Sequence, residues 1–256
     1  MGAATRAAFD VHAALRAELA AAREALRGAD PAVAVHQGRV RLKRIRAIAR
    51  LCMVKDPAAA KALNVAARAA MIGLSDARDL SALEAAAREI KLSDVADALA
   101  ERRNALGPPP IPAARRKLPA VAAAIAAMPA LSDDDLAAGI ARLARRARKA
   151  CAAARGDREP DARHTWRKRE KDRLHALDIL ADAWPRGVRR RRRTGKRLAR
   201  ALGAERDVLL LIERLRSDET FAAVATRPAL AAADAYRRTL ADRADRLGRV
   251  VHRDGA

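Results

Sequence analysis

The stretch "VHQGRVRLKRIRAIARL" at 35–51 holds one histidine and six arginines or lysines, and no acid stands between Asp30 and Asp56. At about 100° per residue, His36, Arg39, Lys43, Arg46 and Arg50 fall within about 80° of arc on a helix, away from Leu42, Ile45, Ala49 and Cys52. A solvated face ordinarily mixes signs, because opposite charges at i,i+4 stabilise a helix and like charges repel. A stripe of one sign suits a ligand with many negative charges along a line. Arginine grips two oxygens with a planar fork, and lysine acts as a mobile point charge. Histidine is a shorter donor whose charge adjusts to what it holds.

A second stretch, "RHTWRKREKDRLHALDIL" at 163–180, repeats the stripe in weaker form. His164, Arg167, Lys168, Lys171 and His175 share one face, while Trp166, Leu177 and Leu180 lie on the other. Asp172 interrupts the basic run, and Glu170 and Arg173 fall on the apolar side. The next run, "RGVRRRRRTGKRLAR" at 186–200, aligns Arg189, Arg192, Arg193, Lys196 and Arg200 on one side of a helix. Its helical phasing favours a structured binding face over a localisation signal.

The elements that must position these residues are helical. Alanine, leucine and arginine dominate, and alternation of β-branched residues is nearly absent, so the reading is all-α with roughly ten helices. "GADP" at 28–31 and "KDP" at 55–57 each place an aspartate cap before a proline in the first turn. "LSD" at 74–76, 92–94 and 131–133 places a serine before a helix-forming run. "GPPPIP" at 107–112 reads as a short, stiff linker.

A shift of 128 residues places His36 on His164, Arg39 on Arg167, Lys43 on Lys171 and Arg68 on Lys196. The same shift brings Leu74, Arg78 and Asp79 onto Leu202, Arg206 and Asp207. This register indicates an internal duplication, with repeats at 1–128 and 129–256 packed as two helical halves about a pseudo-twofold axis. Under that shift Asp172 takes the place of Arg44, and Leu174 that of Arg46. The second stripe therefore reads as the poorer one, and Asp172→Arg as a change that would strengthen it.

The charge balance narrows the partners. Lys and Arg number 53 against 31 Asp and Glu, a net charge of +22. An anionic partner relieves the resulting self-repulsion. No apolar run is long enough to span a bilayer, so no membrane partner is expected. Cys52 and Cys151 are isolated, with no zinc or disulfide spacing, and read as small buried side chains in a reducing cytoplasm. No cofactor is expected. "DARH" and "DRLH" place acids three residues before histidines, a spacing that can ligate metal in bundles. Both lie on one helix among cations that would repel a divalent ion. A phosphate-ester or metal-dependent hydrolase is thus the weakest reading, and no catalytic motif is present.

These residues resemble a known family. "VHQGRVRLKRIRAIARL" is similar to the first signature of the conserved histidine α-helical domain, CHAD. His164, Arg167 and Lys168 match its second signature. The Leu-Gly-x-x-Arg-Asp segments that follow stand here as Leu74, Ser75, Arg78, Asp79 and as Leu202, Gly203, Arg206, Asp207. The resemblance implies a single domain over 1–256, built as two four-helix bundles related by the pseudo-twofold axis. It implies non-catalytic binding of inorganic polyphosphate along a groove or pore, in the cytoplasm or at polyphosphate granules. The candidate ligands are His36, Arg39, Lys43, Arg46, Arg50, Arg68, Arg78, His164, Arg167, Lys168, Lys171, Arg189, Arg193, Lys196, Arg200 and Arg206. Arg78 and Arg206 are read as facing the ligand, with Asp79 and Asp207 orienting. Weak nonspecific binding of DNA or RNA backbone is the alternative, since charge alone drives it. The scarcity of aromatic residues argues against stacking of single strands.

Overall fold

The computed structural model describes residues 9–74, 76–156, 158–180 and 187–252, without the side chains of 76–78, 156 and 187–191. Among the described residues there are eleven α-helices, one short 3-10 turn and no strand. The chain is therefore all-α. No described helix is long and apolar enough to cross a membrane.

The aspartate–proline starts form as the local sequence dictates. Asp30 accepts from the amides of Ala32 and Val33 at 2.8 and 3.1 Å, opening α2 (Pro31–Cys52). Asp56 accepts from Ala58 and Ala59, both at 2.9 Å, opening α3 (Pro57–Ala69). Each proline sits where its missing N–H costs no hydrogen bond. Asp10 caps α1 (Val11–Ala25) in the same way, without a proline. Among the Leu-Ser-Asp sites, Ser132 caps α8 (Asp133–Gly156): its hydroxyl accepts from the Asp135 amide, and Asp135 accepts from the Ser132 amide. Ser93 behaves differently and is the first residue of α5 (Ser93–Asn104), with no side-chain cap. Ser75 lies outside the described residues. The proline-rich segment is non-helical only to residue 110. Pro112 falls in the first turn of α6 (Ile111–Arg116), where a proline is tolerated.

The remaining helices are α4 (Asp76–Glu89), α7 (Leu118–Ala126), α9 (Pro160–Ile179), α10 (Gly187–Ser217) and α11 (Arg227–Val251). They form two compact units that interleave along the chain. The first comprises 1–74, 109–150 and 168–193; the second comprises 75–108, 151–167 and 194–256. Helices α8, α9 and α10 each contribute segments to both.

In the first unit, α1 packs on α2, α2 on α3, α3 on α7, and α7 back on α1. Leu15, Leu19, Leu42, Ile45, Leu63, Val121 and Ile125 fill the space between them. Helix α8 reaches the end of α2 through Gly139: a Cβ there would stand 2.7 Å from the Leu51 carbonyl oxygen. That backbone approach requires glycine, and Leu136 and Leu143 close over Leu51 on either side of it.

In the second unit, Leu80, Leu83 and Leu99 of α4 and α5 pack with Leu211, Leu215 and Phe221. Trp166 is fully buried against Gly248 of α11, where a Cβ would meet its ring at 2.6 Å. Cys52 and Cys151 are both buried, as their isolation in the sequence implies, and burial pushes the Cys52 thiol up to about 12.

Candidate functional site: an arginine cluster at the end of α2

The apolar side of α2 is the buried one: Leu42, Ile45, Ile48, Ala49 and Cys52 all lie in the core. The basic stripe consequently faces outward. His36 is exposed, whereas Arg39, Lys43, Arg46 and Arg50 are half-buried. Two basic residues beside the stripe are occupied elsewhere. Arg41 and Arg44 both pair with Glu18 of α1, at 3.3 and 3.0 Å, and Glu18 is only 8% exposed. The acid missing from the α2 sequence arrives from a neighbouring helix.

At the C-terminal end of α2 several cations share one carboxylate. Arg46 Nε donates to Asn64 Oδ1 of α3 at 2.9 Å. Arg50 Nη1 donates to the Arg46 carbonyl at 3.0 Å and pairs with Asp172 of α9 at 3.2 Å. Arg169 pairs with the same aspartate at 3.5 Å. Arg142 of α8 donates to the Arg50 carbonyl at 3.1 Å, satisfying a group that the helix end leaves unpaired. Burial lowers the pKa of Arg46, Arg50 and Arg146, and repulsion from neighbouring arginines lowers each further. Arg68 adds to that repulsion at Arg46. All remain charged, because arginine titrates far above neutrality. Burial is the larger cause and crowding the smaller, and the cluster still sets Arg46, Arg50, Arg146 and Arg169 around a single carboxylate. Burial pushes the Asp172 carboxyl up, and Arg50, Arg169, Arg46 and Arg146 pull against it.

The expectation that Asp172 merely interrupts a stripe is therefore corrected. It is the counterion of Arg50 and Arg169, and an arginine in its place would add a further cation to a half-buried cluster. The apolar-side pair Glu170 and Arg173 is likewise accounted for, since the two bond to each other and both are buried.

His175 of α9 is held neutral, its pKa pushed down to about 4. Burial is the main cause; Lys171, Lys43 and Arg44 depress it further, and Asp178 opposes them. An unfolded histidine takes its proton near 6.5, so the unfolded chain binds more protons between about pH 6.5 and 4. Stability from this group is complete above pH 7 and is lost as pH falls through that window. The shift corresponds to roughly 3 to 4 kcal/mol at most, of which about 2 to 3 is lost between pH 7.5 and 4.5. Urea unfolding at pH 7.5 and 4.5 is expected to show this loss in the wild type and a smaller one in His175→Gln. Identical pH slopes would refute the assignment.

The other candidate ligands are distributed as follows. In the first unit, Lys168 and Lys171 lie on α9, Arg68 is exposed near the end of α3, and Arg193 is exposed on α10. Arg192, aligned with that group in the sequence, is hydrogen-bonded to Asp178. In the second unit, His164 and Arg206 line one narrow crevice with Arg158, Arg163, Glu205 and Arg237. Arg206 also lies 3.7 Å from Glu213. Arg167 passes Gly203, whose Cβ would stand 4.0 Å from its Nε. Arg200 lines a cleft of about 550 Å³ with Arg197, Glu89, Asp207 and Arg243, and Lys196 is half-buried on the same helix. Asp79 and Asp207, equivalent under the shift of 128, line a single cleft in this unit with Glu213 and Arg214. The side chains of Arg78 and Arg189 lie outside the described residues.

Three cluster members are absent from the sequence-derived set: Arg142, Arg146 and Arg169. The signal for the first two was the run "ARLARRARKA" at 141–150, in which Arg142, Arg146 and Lys149 share a helix face.

A comparison with curated proteins gave no match. The family model described as the CHAD domain matches residues 10–216, which include α2, the whole of α9 and the arginine cluster between them. The chain belongs to the CHAD-domain family.

Proposed function

We propose that this protein binds inorganic polyphosphate, without catalysing a reaction on it, and that Arg39, Lys43, Arg46 and Arg50 of α2 are the principal ligands. The observation that supports this most is the cluster at the end of α2, where half-buried arginines crowd around one carboxylate. Such excess charge is relieved by an anion that supplies several oxygens close together. The recessed position of these side chains also bears on the kind of polyanion, since the Arg50 side chain is only 18% exposed. A flexible linear chain reaches recessed guanidinium groups, whereas a duplex presents its phosphates on a broad, stiff cylinder. Storing polyphosphate, presenting it to an enzyme and associating with polyphosphate granules are the roles such binding would serve.

A competition titration at fixed salt tests the reading, setting long-chain polyphosphate against duplex DNA. Polyphosphate is expected to win at equal phosphate concentration. Its affinity is also expected to rise with chain length and to fall steeply with salt, as displaced counterions require. Equal or tighter binding of DNA at moderate salt would replace this reading with nonspecific nucleic-acid binding.

A further inference from the structure

We propose that Asp172 is a resident counterion: its carboxylate holds Arg50 and Arg169 in the free protein until a phosphoryl group displaces it, and the exchange selects condensed phosphates over orthophosphate. The inference rests on the polyphosphate reading for its ligand class, and its geometry lies wholly within the first unit. Arg50 and Arg169 reach the aspartate at 3.2 and 3.5 Å, with Arg46 and Arg146 close enough to act on its charge. The Asp172 side chain is 14% exposed, so the pairs are partly shielded from solvent screening.

A tethered carboxylate competes as an intramolecular ligand, at an effective concentration far above that of a dilute free anion. An isolated phosphate must displace it with only the contacts of one group. A chain does so with help: while one phosphoryl group enters among Arg46, Arg50 and Arg169, its neighbours engage Lys43 and Lys171. Those two lysines lie close enough to His175 to depress its pKa together. A short anion bound here always meets the displacement cost. A long chain also holds to Arg39 and Lys43 along the stripe with Asp172 in place, so that cost weighs less on its affinity. Short anions are therefore rejected and long ones accepted.

A structural role alone would give another outcome. Were Asp172 needed only to orient Arg50, removing its charge would weaken every anion. As a resident counterion, its removal strengthens binding most for the smallest.

The test is calorimetric titration of the full chain, wild type and Asp172→Asn, with orthophosphate, tripolyphosphate and long-chain polyphosphate at one pH and salt. Orthophosphate and tripolyphosphate are expected to bind Asp172→Asn about tenfold more tightly or better, the long chain gaining less. Asp172→Glu, which keeps the charge, is expected to resemble the wild type. Unchanged or weaker binding of the two short anions to Asp172→Asn overturns the proposal. So does an equal gain in Asp172→Glu, which would make geometry the cause rather than charge. An Asn variant that folds only when tripolyphosphate is added supports the exchange, and one that stays unfolded with that anion refutes it. The polyphosphate reading fails separately, if long chains do not bind the wild type. A gain in orthophosphate affinity on Asp172→Asn would still establish the counterion.

Discussion

Lys43→Ala/Arg46→Ala is expected to weaken long-chain polyphosphate binding by about two orders of magnitude. Hydrogen bonds to charged groups contribute about 1.5–3 kcal/mol each. Two such losses, discounted for solvent screening of half-buried side chains, amount to about 3 kcal/mol. Both residues lie on the recessed stripe, and Arg46 is fixed in place by Asn64. The informative control removes the same charge elsewhere in the same unit. Arg115 and Arg116 are exposed at the end of α6, where they line a different cleft with Arg23 and Arg27. Arg115→Ala/Arg116→Ala is expected to cost less than about threefold, because two exposed charges away from the stripe act on the ligand only through screened, long-range attraction. Titration at matched salt, with circular dichroism of each variant, measures both. Equal losses would show that affinity follows net charge alone and would remove the stripe from the account.

The sequence makes the stripe visible because its cause is local. Helical period, the Asp30–Pro31 start and the absence of acids from 31 to 55 all lie within one segment. The partners of that stripe are not local. Glu18 reaches Arg44 from the preceding helix, and Asp172 reaches Arg50 from far along the chain. A single sequence says which residues share a helix face, but not which face meets it from another helix. Gly139 illustrates the gap. It is an ordinary helical glycine by sequence, yet it lets α8 approach Leu51 so that Arg142 reaches the Arg50 carbonyl.

Asp172 shows how the same limit misleads. Counted along the stripe, it replaces a cation and reads as damage. Under the shift of 128, Arg44 falls on Asp172, while Glu18 falls on Arg146. Arg44 pairs with Glu18, and Arg146 acts on the charge of Asp172: one opposition of charge, with the signs exchanged. Under that shift the exchange shows when pairs, and not single positions, are compared. The correspondence is also incomplete. Residues 70–74 separate α3 from α4, whereas 198–202 lie within the unbroken α10.

Arg163→Ala is expected to destabilise the protein by about 3 to 5 kcal/mol, the range for removing one partner of a buried ionic network. Arg163 is only 5% exposed and joins four helices of the second unit. Its Nη2 donates to Glu205 Oε2 at 2.7 Å, and its Nε also donates to that carboxylate. Nη1 donates to Asp245 Oδ1 at 2.9 Å, and the carbonyls of Ala154 and Ala241 accept further bonds. The guanidinium lies 5.5 Å from the centre of the Trp166 ring. Burial disfavours its charge, but the Glu205 and Asp245 bonds outweigh that and hold its pKa above the usual arginine value. Alanine removes all of this and leaves Glu205 buried without its guanidinium, while Asp245 keeps a bond from the half-exposed Arg158 at 2.9 Å. The loss comes from the stranded Glu205 carboxylate more than from a strong bond, and that distinction is measurable. Arg163→Met/Glu205→Gln/Asp245→Asn removes the charges together and is expected to recover part of the loss, since no buried charge is then left without a partner. Urea unfolding of both variants at pH 7.5 decides. A single mutant that costs under 1 kcal/mol, or a triple mutant less stable than the single, would mean that the loss does not come from carboxylates left buried without Arg163.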